Sequence, residues 1–423
     1  MILNLPSRGA GRGARRLSWV GLVLAGLLVA TACSSGTEPA PTTLRVMMTD
    51  DWATPPVLDA VRDFEGSHKG VRVIMDKAPI KGMLDSIKGS SSPPDVVQGH
   101  AFAAAAQGLA QPLDDLWDQA LKADQFFPGA LDDVTFAGRR YGVPLDTNAL
   151  VLLYNADHFR AANLPLPKGP MSFPQLEQVA RVLSAAGGGR PALALGTSTW
   201  QTFGWVGANG GDYLRITNDA RPDFRFDSPE VVGAIAFLAN LVKQGLAMPP
   251  RAADTHASDV YALFESGETS MYTSGSWDIA KLRRSQPGVD YRAAPMPTGM
   301  TGASEGSAVG GSSLFVPKGS GQRKLAFEFM THLISDRYAL RLAKEQGRLP
   351  VRSRVYADRH FQDPVLQVVV DQLRTARPER IDSFPDAGKA LAVAIDQVLR
   401  EQQDPEATLR KAQEKAHQMF GTS

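Results

Sequence analysis

The side chains with the most chemistry to offer in this 423-residue chain include a compact run, LFESGETSMYTSGSWDIAKL, from Leu263 to Leu282. Its pattern predicts a helix ending at Gly267, a strand over Thr269 to Thr273, and a small-residue turn at Ser274-Gly275-Ser276. A second helix then begins with Trp277 and Asp278. A large flat ring beside a carboxylate at a tight turn raises the question of what it faces.

Catalytic patterns are sparse. Gly302-Ala303-Ser304-Glu305-Gly306 fits the G-x-S-x-G spacing, but a nucleophile elbow needs a strand before it and a helix after it. Here Pro297-Thr298-Gly299 precedes it and more Gly and Ser follow. No two of the seven histidines stand three or four residues apart, so helical metal pairs are absent. Gly187-Gly188-Gly189 is followed by Arg-Pro, not by the Lys-Ser/Thr of a phosphate loop. The adjacent pairs Asp114-Asp115 and Asp132-Asp133 read as solvated faces, because neighbours on a helix diverge. No metal and no cofactor is expected.

The elements that must position any site alternate. Leu44 to Met48 is a short apolar strand; Val57, Val61 and Phe64 follow at helical spacing; Val71, Val73 and Met75 alternate as a strand. This suits a parallel crossover, and Asp95 to Val97 reads as the next buried strand. Ser172-Phe173-Pro174-Gln175 fits a capping box. Ser228-Pro229 opens a helix that Gly245 closes. Helices are expected over 324–342, 364–374, 388–400 and 405–419, and a long Gly/Ser-rich loop over 297–313. The fold class is α/β.

The first residues read as an export signal: Arg8, Arg12, Arg15 and Arg16, then an uncharged run from Leu17 to Ala32. Ala30-Thr31-Ala32-Cys33 resembles a bacterial lipobox, with Ala30 where an aliphatic residue is usual, and makes Cys33 the expected lipidation site. Cys33 is the single cysteine, so the fold uses no internal disulfide. Residues 33–42 then serve as a lipidated tether, which overlaps the TEPAPTT run of Thr37 to Thr43. Basic and acidic residues nearly balance, 45 against 44, and no basic stripe with interleaved aromatics suggests nucleic acid.

Four segments in order resemble the family 1 extracellular solute-binding proteins of ABC importers, the maltose-binding-protein group. They are Tyr141-Gly142-Val143-Pro144 leading to Tyr154-Asn155; Trp200-Gln201-Thr202-Phe203 running into Gly210-Gly211; Phe264 to Trp277; and Val309-Gly310-Gly311-Ser312 leading to Phe315-Val316-Pro317-Lys318. The resemblance implies two α/β lobes with a ligand cleft between them: 43–147 plus 312–345, and 148–311 plus 346–423. Crossings would fall near 146–149, 309–312 and 344–347. It implies a carbohydrate receptor at the outer face of the cytoplasmic membrane, held by its lipid and monomeric, which delivers ligand to permease subunits served by a cytoplasmic ATPase.

Within that frame Trp277 stands at the family's stacking position, with Trp200 as a second ring beside Gln201. The expected ligand contacts include Asp278 and the N–H groups near residues 277–279. Asp50, Asp51 and Trp52 end the first strand, where cleft residues gather in open parallel sheets. Gln98 and His100 follow the third strand. Asn148 replaces the sugar-binding Glu of some relatives. Gly311 and Ser312 offer backbone and hydroxyl contacts or serve the hinge, and Arg352 either reaches the cleft or forms a surface ion pair. Two alternatives stay open: a glycerol phosphate or glycerophosphodiester receptor using Arg352 or Arg139, and an exported glycosidase using Asp51 and Asp278.

Overall fold

The computed structural model describes residues 41–80, 82–217, 219–249, 258–285, 288–300 and 306–421. The expected export signal, Cys33 and most of the G-x-S-x-G stretch lie outside the described residues. Strand β1 (Thr42–Met48), helix α1 (Pro55–Ser67) and β2 (Val71–Lys77) form the expected crossover, with β1 and β2 parallel from Thr42–Val71 to Met48–Lys77. Helix α1 opens on Pro55 and Pro56, where a missing N–H costs nothing. It buries Val57, Ala60, Val61 and Phe64 along one face. Strand β3 (Val96–Gly99) lies parallel to β1 on its other edge.

Strand β4 (Gly142–Ala149) starts in this first core, where Val143 and Leu145 are buried. It ends at Ala149, which packs with Val151 and Tyr272 in another core. There a second sheet is built from β5 (Val151–Asn155), β6 (Leu193–Ala194), β7 (Ala247–Met248), β8 (Met271–Ser274) and β9 (Tyr291–Ala294), in the order β7-β6-β8-β5-β9. Strand β10 (Ser307–Phe315) runs back antiparallel to β4, opposing Val309 to Ala149 and Ser312 to Asp146, with a register shift after Ser312. Val309 joins that second core and Leu314 the first. Two antiparallel strands thus bridge two cores, and the floor of the cleft lies where they cross.

The last seven residues of the expected loop at 297–313 are therefore strand. Hydrogen bonding to β4, to β3 and to β11 (Ala376–Pro378) satisfies its backbone, and its small residues answer to close approach. A Cβ on Gly310 would lie 2.9 Å from the Trp200 ring. At Gly311, with φ +112°, it would lie 2.3 Å from the Asp146 carbonyl oxygen, so only glycine fits.

The helical signals hold where capping chemistry set them. Helix α2 (Phe173–Ala186) has the complete Ser172–Gln175 capping box. Helix α3 (Thr199–Ala208) is capped by Ser198, and α4 (Pro229–Lys243) by Ser228. Helix α5 (Ser276–Leu282) carries Trp277. The single helix expected over 324–342 is two, α6 (Arg323–Leu333) and α7 (Asp336–Gln346), broken at Ile334-Ser335. Helices α8 (Pro364–Gln372), α9 (Pro385–Leu399) and α10 (Pro405–Phe420) close the chain. Among the described residues no helix is long and apolar enough to cross a membrane.

Candidate functional site

The cleft has two adjoining compartments of about 400 and 440 Å³, both lined by His100, Asp146, Trp277, Gly311 and Ser312. The inner one adds Trp200, Thr199, Asp133, Glu379 and Asp382; the outer one adds Asp51, Trp52, Gln98, Asn148 and Arg348.

Two tryptophans make the aromatic corner. Each is the second residue of its helix, Trp200 in α3 and Trp277 in α5. Their ring centroids are 5.7 Å apart at 51°. Trp200 Nε1 donates to the Val309 carbonyl at 2.9 Å, which fixes its ring against β10. Trp277 folds back over Gly275, where a Cβ would sit 2.3 Å from the ring. The small turn before Trp277 is thus the space its indole occupies.

In the outer compartment the Arg348 guanidinium lies 3.9 Å from the Trp52 ring centroid, bonds Asp51 and stands 3.6 Å from Asp146. Burial alone would raise the Asp51 carboxyl, but the Thr49 hydroxyl and Arg348 hold it below its ordinary value. Asp146 goes the other way: its burial outweighs Arg348 and Ser312 and raises it. The Ser312 N–H and hydroxyl donate to Asp146 Oδ1 at 2.8 and 2.9 Å. The Gln98 side chain accepts from the Thr49 N–H at 2.9 Å and donates to Ser312 Oγ at 3.3 Å.

In the inner compartment His100 Nδ1 is 2.9 Å from Asp133, and its Nε2 is 3.9 Å from Asp382. The Asp133 charge outweighs desolvation and raises the imidazole to about 10, so it is a cation at neutral pH. Glu379 is pushed up to about 8, first by burial and then by Asp382, and Asp382 is raised by its own desolvation. Glu379 Oε1 is buried with no hydrogen-bond partner. Among the described residues no group of three His, Cys, Asp or Glu could hold a metal ion.

Residues 48–340 match the profile of the bacterial extracellular solute-binding proteins. The chain belongs to that family. It is 25% identical over 351 residues to the sn-glycerol-3-phosphate-binding periplasmic protein of Brucella melitensis, covering 76% of this chain and 79% of the relative. It is 26% identical over 310 residues to the diacetylchitobiose binding protein of Streptomyces coelicolor, covering 71% and 70%. Its fold matches the sugar-binding protein MalE of Xanthomonas citri with a TM-score of 0.78 at 22% identity, over 90% of this chain and 98% of that one. The two-lobed α/β architecture is therefore that of a periplasmic binding protein.

This solute-binding protein brings Asp51, Trp52, Gln98, His100, Asn148, Trp200, Trp277, Gly311 and Ser312 to the cleft, but not all are free to act there. Trp52 is 1% exposed, and Arg348 covers its ring face, so it cannot stack a ligand. The Asn148 side chain is spent as a clamp: it accepts from the Ser276 N–H at 3.0 Å and donates to Ser276 Oγ at 2.6 Å. The amides expected to be free near residues 277–279 are partly used as well, since Asp278 and Ile279 N–H both turn back to the Gly275 carbonyl.

Four expected residues do not line the cleft. Asp50 is exposed and pairs with Lys77. Gln201 is buried, with its amide packed against Gly196. Asp278 faces inward, accepting from Ser274 Oγ at 2.6 Å and from Lys281 at 2.8 Å. Arg352 lies over Phe126 and 4.0 Å from Asp336. Arg348, four residues earlier, takes the cleft position, because Gly347 ends α7 in a left-handed turn and Leu349 pairs with Thr147 of β4. Asp133, read as a solvated face, is instead the His100 partner. Asp146, Glu379 and Asp382 carried no local signal, although a crossing strand beginning at Asp146 could have pointed to the first.

Proposed function

We propose that the chain is the ligand receptor of an ABC importer, holds a mono- to oligosaccharide between lobes 43–147 plus 312–345 and 148–311 plus 346–423, and performs no reaction on it. The observation that carries this is the pair of tryptophans set at an angle over one interlobe cleft. An indole covers the apolar face of a sugar ring, while Ser312, Gln98 and the carboxylates meet its hydroxyls. Closure of the lobes around the ligand would then present a surface that permease subunits recognise. Lipidation at Cys33 would keep the monomeric receptor beside that permease.

A second reading, a glycerol phosphate or glycerophosphodiester, draws on Arg348, the one arginine lining the cleft among the described residues, and on the Brucella relative. Arg348 already has two carboxylates, so a phosphate would have to displace one.

Calorimetric titration with mono- and disaccharides, oligosaccharides and glycerophosphodiesters, with chromatography of the ligand afterwards, tests both. We expect saturable binding of one sugar class and recovery of intact ligand. Hydrolysed product would overturn the reading as a receptor, and binding of phosphodiesters alone would favour the second reading.

A further inference from the structure

The inner compartment carries more acidic side chains than a neutral sugar requires. Asp133, Asp146, Glu379 and Asp382 line it, and His100 is the one cationic side chain among the described residues that do. His100 is committed to Asp133 at 2.9 Å, with Asp382 at 3.9 Å. Asp146 is committed to Ser312 and lies near Arg348. Glu379 is the exception. The Thr199 side chain and the Asp382 backbone favour its ionised form, burial outweighs them, and Oε1 stays buried without a partner. Asp382 is half exposed beside it, three residues along the chain. Both acids share the compartment with Trp200 and Trp277.

An aromatic corner over paired carboxylates has a definite complement. The ring faces carry negative potential and attract a cation with little cost in hydration when it is bulky. The carboxylates accept charge-assisted hydrogen bonds or supply the counter-charge. A neutral hydroxyl would leave Glu379 in its protonated form, whereas a cation would favour ionisation of the pair. A phosphate here would face four carboxylates.

We propose that the inner compartment selects a polyhydroxyl ligand bearing a cationic nitrogen, seated between the Glu379–Asp382 pair and the faces of Trp200 and Trp277. This rests on the reading of the cleft as the ligand site and narrows its substrate class. Two sources share the chemistry: the free amine of an amino sugar, and the quaternary nitrogen of a choline headgroup on a glycerol phosphate.

Calorimetric titration of the protein compares glucosamine and fully deacetylated chitobiose with glucose and cellobiose, and glycerophosphocholine with glycerol 3-phosphate. We expect the cationic member of one pair to bind at least about tenfold more tightly than its uncharged-nitrogen-free counterpart. Preference within the sugar pairs would identify an amino sugar, and preference within the phosphate pair a choline headgroup. Glu379→Gln and Asp382→Asn should each bring that ratio to within roughly threefold of one, while Glu379→Asp keeps most of it. Thermal unfolding of each variant confirms that it folds. Equal affinity within every pair, or a ratio unchanged in both amide variants, would overturn the inference. Tight neutral-sugar binding that vanishes in Trp277→Ala would do so while leaving the receptor function standing. Failure of every probe to bind would overturn both.

Discussion

The two compartments of the cleft treat charge in opposite ways. In the outer one protein groups satisfy Arg348: it stacks on Trp52, bonds Asp51 and stands 3.6 Å from Asp146. In the inner one four acidic side chains face a single imidazolium, and one buried oxygen of Glu379 has no partner. The first arrangement is preorganised, so it can hold a ligand without reorganising. The second is electrostatically incomplete, and a buried carboxyl in that position shifts its pKa rather than pay the full cost of ionising. Shape is supplied by one wall and selectivity by the other.

The largest effect should come from Trp277, the aromatic residue that lines both. Trp277→Ala removes a stacking surface worth roughly 2–3 kcal/mol, so affinity should fall about 30- to 150-fold in a calorimetric titration. Trp200→Ala should cost about tenfold, and more for ligands confined to the inner compartment. Equal losses for every ligand would erase the distinction between compartments.

Arg348→Ala should act on stability as well as affinity. It strands Asp51 and the buried Asp146, and we expect about 1–3 kcal/mol of destabilisation by denaturant unfolding at neutral pH. Glu379→Gln should do the reverse as pH rises. The folded-state carboxyl sits near 8 against 4.5 for the free group. Between those values the folded protein binds the extra proton, so stability falls as pH climbs from 4.5 to 8. The amide should flatten that part of the curve.

His100 acts in a higher window. Its pairing with Asp133 contributes fully below 6.5 and is lost as pH rises toward 10. The ring is 39% exposed, and solvent screening should keep the gain small. His100→Gln should remove it, which a melting series across that range would reveal.

The smallest effects should come from residues that the fold leaves outside. Asp50→Ala and Arg352→Ala should each change affinity by no more than about twofold. A large loss from either would mean that the ligand lies elsewhere.

What could be read from the sequence was local. Period-2 and helical spacing gave the β1–α1–β2 crossover, capping residues gave the starts of α2 and α4, and the run of small residues gave the turn before Trp277. The cleft's charges were not local. Arg348 and Arg352 look alike as letters; a left-handed glycine and the pairing of Leu349 with Thr147 decide which one enters. Glu379 and Asp382 reach His100 because β11 pairs with β10, joining Ala376 to Ser307 across a long stretch of chain. Asp133 looked solvated because its partner lies 33 residues away. Asn148 and Asp278 failed differently: their hydrogen-bonding capacity goes to holding together the turn before Trp277.

The most direct measurement is the structure of the protein with its tightest ligand. We expect a polyhydroxyl ring in van der Waals contact, about 4 Å, with the indoles of Trp277 and Trp200, and its polar groups turned toward Glu379, Asp382 and Ser312. A ligand bound outside the interlobe cleft, or within it but away from both tryptophans, would contradict the central claim.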